Sequence, residues 1–496
     1  MVIPRHEGHH HHDHSKDKKW GYLTLLLSIL YLVYLYVSNY IHSIKWLKSG
    51  RSTGGKNWVL PGLWLRLLVF VAFSIVICLW GIDKETFKSN FRRFGRVAYC
   101  LVPLNIFLTF KPAVITGTNY LDLLGLHKWL SRWLMVMAIV HSVGFTVVWI
   151  VNQEVSTWSK LFQFNNLLGA ITCNFSILLL VVSTKPIRRI MYQFFYLFHN
   201  VTMWLWVFAI IYHSRWEVTS YGALCGLLLA YQLYQRVFCV VRNLTPLNFL
   251  TNGEHNLSLI RLPNPNKFSF EPGSHLRVYK NHSISKFWNW FLPSHPYSIV
   301  AMDMTSISLV VKGYNMFNPH VPQQYTISTK LYNSIHPNIF KTAENVVIVC
   351  GGSGISFGLP IYQHFLQNSG NLDLVPYLCW IVRSDSELYL LDELKVKGIE
   401  VFVTTGSGES VFNLEEEMLL ADEIELESLE QTEEKENKVH RGGRPDLRGL
   451  IAPKMASTMD KANKWVVSCG PEGLVAECNK IAKQMKVQSL SEVYSM

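Results

Sequence analysis

Four histidines lie between residues 43 and 254: His127, His141, His199 and His213. They form two pairs with the same spacing of 14 residues. On an α-helix, 14 residues rise about 21 Å and return to within about 40° of the starting face. Each of two helices therefore presents two imidazoles on one side, near opposite edges of a membrane core. Two imidazoles facing each other across a helical bundle make a bis-axial ligand set for haem iron, so two stacked sets would make an electron path. A single histidine in an apolar segment is more often an ordinary core residue. Ionisable groups inside membranes are rare and usually functional, and the matched spacing favours ligands. Trp206 is seven residues from both His199 and His213, on nearly the same face, and is placed to stand between the two irons.

The elements that must hold these residues are apolar. Of the 496 residues 49% are hydrophobic and only 16% charged, and long apolar runs end near residue 241. Runs of roughly 20 such residues are long enough to cross a bilayer. The sequence predicts about seven: Trp20–Ile41, Trp58–Trp80, Val97–Phe110, Trp129–Val151, Asn165–Ser183, Gln193–His213 and Val218–Val241. The fourth and sixth carry the histidines and run in the same direction, so His127 faces His199 and His141 faces His213. Basic residues in short loops orient membrane proteins. Lys45, Lys48, Arg51 and Lys56, with Lys185, Arg188 and Arg189, place the C-terminal half in the cytosol. Lys84, Lys88, Arg92, Arg93 and Arg96 oppose that orientation. The net charge of +11 comes without a basic stripe interleaved with aromatics, which argues against nucleic-acid binding. Nine cysteines show no CxxC spacing, which argues against zinc, iron–sulfur clusters and a disulfide framework and for a reducing compartment. His6, His9, His10, His11, His12 and His14 lie in a tail (residues 1–19) that reads first as a flexible terminus, with weak metal capture as the functional alternative.

After Leu244 short β-type runs appear at Asn256–Leu262, Ser274–Tyr279 and Ile307–Val311. From about residue 341, strands at Val346–Cys350, Pro376–Val382, Ile399–Thr404 and Trp465–Cys469 alternate with helical stretches, the rhythm of a parallel sheet. His295-Pro296-Tyr297-Ser298 opens a strand and suits a flavin: the tyrosine ring stacks, the serine bonds a polar edge, and His295 contacts phosphate or ribitol. Gly351-Gly352-Ser353-Gly354 follows an apolar strand and lets backbone approach a pyrophosphate at a helix start. Arg383 and Ser384 end a strand where a 2′-phosphate would bind, favouring NADPH. Cys469-Gly470-Pro471 ends another, where Cys469 would lie against the nicotinamide. Residues 409–440 are rich in glutamate and read as a solvated, disordered insertion.

Together these motifs resemble the ferric reductase and NADPH oxidase transmembrane family, most specifically in the two His–14–His pairs, His295-Pro296-Tyr297-Ser298, Gly351-Gly352-Ser353-Gly354 and Cys469-Gly470-Pro471. Its compact size is similar to the short fungal probable metalloreductase branch. The resemblance covers about Arg96 to the C-terminus. It implies a multi-pass α-helical domain binding two haem b groups, then a ferredoxin-reductase-like antiparallel β-barrel for FAD and an α/β parallel-sheet domain for NADPH. The expected division is 20–95 for N-terminal transmembrane helices, 96–241 for the haem domain, 242–341 for FAD and 342–496 for NADPH. His127, His141, His199 and His213 match the family's haem ligands. Relatives place an aromatic at the very end of the chain, where this sequence has Tyr494 two residues short. The implied activity moves electrons from NADPH through FAD and the haems to ferric or cupric ions outside, with dioxygen as the alternative acceptor and no protein nucleophile. A conductor using the histidines as a proton relay is the non-enzyme alternative. Plasma membrane and endoplasmic reticulum fit equally.

Overall fold

The computed structural model describes residues 13–48, 63–81, 87–110, 120–151, 156–252 and 256–280 and, with short gaps, 291–368, 376–405, 436–456 and 464–493. Residues 1–12 of the His-rich tail, Tyr494 and most of the acidic segment lie outside these. The chain divides into two compact units, the second beginning at Val241.

Ten helices are described in the first unit: α1 (Asp13–Lys48), α2 (Leu63–Leu79), α3 (Phe87–Cys100), α4 (Val102–Phe107), α5 (Tyr120–Val151), α6 (Thr157–Leu161), α7 (Phe164–Val182), α8 (Lys185–Ile190), α9 (Tyr192–His213) and α10 (Thr219–Phe238). Among the described residues, four helices are long and apolar enough to cross a membrane: Lys18–Ser38, Leu123–Val151, Phe164–Val182 and Tyr192–His213. Leu63–Leu79 is apolar but shorter.

Two expected spans take a different form. The run at 97–110 is divided between α3 and α4, which meet at Leu101 with Pro103 in the first turn of α4. Proline lacks the N–H that would continue the preceding helix but fits a new helix start. The run expected to begin at Trp129 starts instead at Tyr120, so His127 lies inside the helix. Leu123, Leu126, Leu130 and Leu134 are buried at helical spacing, and Lys128 is exposed beside them. A charge off the buried face interrupts a hydropathy run without interrupting a helix. Arg93 and Arg96 lie in α3, where Arg93 donates to the Trp80 carbonyl at 2.6 Å and Arg96 is buried against Glu217. They are not loop charges.

The second unit contains two sheets. Strands β1 (Val240–Leu244), β2 (Asn248–Thr251), β3 (Leu257–Pro263), β4 (Ser274–Lys280), β5 (His295–Met302), β6 (Ser306–Lys312), β7 (Tyr325–Ser328) and β8 (Tyr332–Asn333) follow the order β1-β7-β4-β5-β6-β3-β2, with β8 on β4. The assigned pairs other than that of β1 run antiparallel. Alternation sets the core: Leu276 and Val278 of β4 point into the apolar interior with Ile299 and Leu309, leaving His275, Arg277 and Tyr279 on the other face. The second sheet is parallel, in the order β12-β11-β10-β9-β13-β14, from β9 (Asn345–Gly351), β10 (Tyr377–Val382), β11 (Glu400–Val403), β12 (Lys438–Arg441), β13 (Lys464–Gly470) and β14 (Gln488–Val493). Helices α11 (Ile339–Thr342), α12 (Ile355–Asn368), α13 (Tyr389–Glu393), α14 (Leu447–Ala456) and α15 (Glu472–Met485) complete the unit. Both central strands, β9 and β13, are almost wholly buried, as expected of a sheet covered on both faces. Residues 438–440, the end of the expected disordered insertion, belong to β12 and pair with β11. All nine cysteines are free.

Candidate functional site

In the helical unit the four histidines meet in two pairs. The His127 and His199 ring centroids are 6.2 Å apart with planes at 43°. Those of His141 and His213 are 5.9 Å apart with planes at 89°. An imidazole nitrogen about 2 Å from an iron on each side puts the ring centroids roughly 6 Å apart. The separation therefore suits one metal held between each pair. Among the described residues no three or more His, Cys, Asp or Glu gather as a metal site. A haem, which would supply most of its iron's ligands itself, would need only the two imidazoles of each pair from this chain.

The rings are oriented by backbone. His127 Nδ1–H donates to the Asn105 carbonyl at 3.0 Å, His141 Nδ1–H to Phe91 at 2.8 Å and His213 Nδ1–H to Asn165 at 2.8 Å. A carbonyl can only accept, so Nδ1 carries the proton and Nε2 keeps its lone pair for a metal. The Asn105 carbonyl is available because α4 ends here, with Thr109 N bonding Ile106 and Phe110 N bonding Phe107. The other two carbonyls share a device the sequence reading missed. Gly95 follows Phe91 by four residues, and a Cβ there would lie 2.7 Å from His141 Nδ1. Gly169 follows Asn165 by four, and its Cβ would lie 2.5 Å from His213 Nδ1. Only glycine lets an imidazole approach the helix at those points. Glycine inside an apolar run was the available signal. Trp206 is buried, and its Nε1–H donates to Ser176 Oγ at 2.7 Å, which fixes the indole part-way between the levels of the two pairs.

In the second unit His295, Pro296, Tyr297 and Ser298 open β5, paired with β4 so that Arg277 is opposite Pro296 and His275 opposite Ser298. Ser298 is buried. Tyr297 turns toward the barrel interior, its ring 5.4 Å from Phe317, so these neighbours lie on opposite faces. Arg277, absent from the sequence reading, is held by Ser294, with Nε–H donating to Oγ at 2.6 Å and Nη2–H to the carbonyl at 2.8 Å. No ion pair to a described carboxylate occupies its remaining donors. Desolvation, reinforced by the charges of Arg277 and Lys280, holds the His295 imidazole below its ordinary pKa. At neutral pH His295 is uncharged and Arg277 is the permanent cation beside this strand.

The nucleotide motifs converge at the C-terminal edge of the parallel sheet. Chain order reverses between β9 and β13, and the crevice at such a reversal is where α/β sheets bind ligands. Gly351 ends β9, Gly352–Gly354 make one tight turn with Gly352 at φ +54°, and α12 begins at once with its free N–H groups. Trp380 of β10 pins the turn, its Nε1–H donating to the Gly352 carbonyl at 2.9 Å. Cys469 lies in register with Cys350. A Cβ on Gly354 would come within 2.4 Å of the Cys469 carbonyl, and one on Gly351 within 3.0 Å of Pro471. The glycine turn around Ser353 and Cys469-Gly470-Pro471 thus press together, with Cys469 wholly buried. Arg383 follows β10 on the same edge and is exposed. Its N–H is accepted by buried Glu387 at 3.0 Å. Arg441, at the end of β12, pairs with Asp385 at 2.8 Å.

A helical unit with facing imidazole pairs, continued by an antiparallel flavin-type sheet and a parallel nucleotide-type sheet, defines a membrane NAD(P)H-dependent flavoprotein oxidoreductase. Residues 94–210 match the family described as ferric reductase like transmembrane component, 243–352 an FAD-binding domain and 343–483 the ferric reductase NAD binding domain. The chain is 31% identical over 523 residues to the probable metalloreductase AIM14 of Debaryomyces hansenii, covering 99% of this chain and 98% of that one. It is 34% identical over 512 residues to the protein of the same name from Meyerozyma guilliermondii, covering 99% of each. A ferredoxin NADP+ reductase from Neisseria gonorrhoeae with bound FAD and NADP aligns with 51% of this chain and 98% of its own, at 14% identity and a TM-score of 0.37. The chain belongs to the ferric reductase family.

Proposed function

We propose that the protein carries electrons from NADPH through FAD and two haem b groups across a membrane to ferric or cupric ions. The observation that supports this best is the pair of imidazole pairs at iron-spanning separation, with the Nδ1–H of His127, His141 and His213 engaged by backbone. When bound, the flavin supplies the conversion of a two-electron hydride into single electrons, and the haems supply one-electron redox centres.

The chain's own residues hold and orient. Gly351, Gly352 and Gly354 bring backbone against the pyrophosphate at the start of α12. Arg383, with Arg441 near it, meets the 2′-phosphate that distinguishes NADPH. Cys469, Gly470 and Pro471 close the crevice beside the nicotinamide. Arg277 meets the flavin's phosphates and Ser298 its ring, while Tyr297, turned inward against Phe317, supports the strand from behind instead of stacking on the flavin. His127 and His199 hold the haem at the electron-entry side, the level at which α10 ends, where Arg236 lies over the Tyr196 ring near His199. His141 and His213 hold the outer one, and Trp206 lies between. The second unit is cytosolic in this reading, in the plasma membrane or endoplasmic reticulum.

Spectra of purified membranes test the core of the proposal. A six-coordinate b-type haem signal is expected, reduced by NADPH and lost in His141→Ala or His199→Ala. A colourless wild-type protein overturns it in favour of a histidine conductor. Ferric-chelate reduction exceeding superoxide release identifies the acceptor as metal, and the reverse identifies dioxygen.

A further inference from the structure

Arg66 lies inside the apolar helix α2 and is only 8% exposed. Tyr31 of α1 packs edge-on against Phe70, one turn along α2 from Arg66, with ring centroids 5.3 Å apart, which brings its hydroxyl to the guanidinium, yet Arg66 Nε and Nη1 are buried without a hydrogen-bond acceptor among the described residues. A guanidinium is never deprotonated in a protein, and an unpaired buried charge is among the most unfavourable arrangements known. Such a residue calls for an anion.

The position says which one. Next to Arg66, Trp64 packs on Trp129 with centroids 4.8 Å apart, and Arg132 lies over the Trp129 ring at 4.4 Å. Paired tryptophans with a nearby arginine mark a membrane–water boundary. Trp64, Leu65 and Leu68 are more than half exposed and face lipid. Haem carboxylates are a poor match: Leu63 packs on Gly125 and Trp64 on Trp129, positions that face roughly opposite to His127 around α5. The helix therefore stands between Arg66 and that pair.

We propose that Arg66 and Tyr31 form a binding site for the phosphate of an anionic phospholipid from the leaflet on the His127 side. Arginine matches phosphate oxygens through its planar fork, and the tyrosine hydroxyl offers one further donor. The inference rests on the membrane reading above but not on haem, which the visible spectrum tests separately.

The experiment is native mass spectrometry of the full chain, exchanged into phosphatidylcholine and titrated with phosphatidylserine or phosphatidylinositol. One anionic lipid is expected to be retained preferentially. Arg66→Met should weaken retention about tenfold, Arg66→Lys less, and Tyr31→Phe by a smaller factor without disturbing the fold. Millimolar inorganic phosphate should not displace the lipid. Undiminished retention in Arg66→Met overturns the proposal. So does loss of haem absorbance in that variant with lipid retention intact, which would make the occupant a haem carboxylate. Should Arg66→Met fail to fold, wild-type retention in both Arg66→Lys and Tyr31→Phe overturns it equally.

Discussion

His141 and His213 face each other with ring centroids 5.9 Å apart, and each is backed by a glycine four residues beyond the carbonyl that accepts its Nδ1–H. Two helices that carry no histidine, α3 and α7, therefore set the angle of the pair. The two imidazoles are held by shape as much as by hydrogen bonding.

Gly95→Ala and Gly169→Ala should each displace one ring of this pair. Overpacking of this kind costs about 1–3 kcal/mol, and the expected result is loss of about half the haem with the His127–His199 site kept. Gly226→Ala, in α10 with nothing within 4 Å of the added Cβ, should leave haem content unchanged and match or slightly exceed wild-type stability. Pyridine haemochrome assay and thermal unfolding in detergent check both.

Trp206→Phe keeps an aromatic ring but removes the donor to Ser176, a change worth about 1 kcal/mol. Stability should fall by that amount while electron transfer between the haems stays near wild type. Trp206→Leu should slow it several-fold. Rapid-mixing measurement of the two reduction phases separates them, and equal rates in Leu and wild type would remove Trp206 from the path.

Arg277→Gln should weaken FAD binding by about 1.5–3 kcal/mol, roughly ten- to a hundredfold, since a charge-assisted contact is lost. The same change removes a charge that depresses the His295 pKa, so His295 should titrate at higher pH in the variant. In wild type, lowering pH through the depressed His295 range adds positive charge beside the phosphates. FAD should therefore bind more tightly there than at neutral pH, until acid unfolding intervenes. Flavin fluorescence titration across pH reads both effects.

Arg383→Ala should raise KM for NADPH about ten- to a hundredfold with little effect on NADH. Gly354→Ala should weaken both nucleotides, because its Cβ meets backbone at Cys469 and backbone cannot swing aside. Steady-state kinetics with the two cofactors divide a lost phosphate contact from a spread crevice.

The order of elements was legible in the sequence because period-2 and apolar-run patterns are local. Strands predicted at Val346–Cys350 and Trp465–Cys469 match β9 and β13 to within one residue at each end. The start of α5 was not, because Lys128 hides a helix whose buried face is defined only by its neighbours. The facing of the histidines followed from their spacing together with the shared direction of the two helices that carry them. Their carbonyl partners did not: Phe91, Asn105 and Asn165 contribute backbone, which leaves no mark in side-chain type. Arg277 was missed for a related reason. It lies 18 residues before His295, and only antiparallel pairing brings the two strands together.

Strands β11 and β12 run parallel, although no helix is described between Val403 and Lys438. Parallel neighbours cannot be joined by a hairpin, since the chain must return the length of the strand, which takes about a dozen residues. Whatever chain joins Val403 to Lys438 must therefore span back at least the length of a strand. Its length can drift among homologues at little thermodynamic expense, because closure entropy grows only logarithmically. It cannot be excised to a tight turn without detaching the sheet's outermost strand, and with it Arg441.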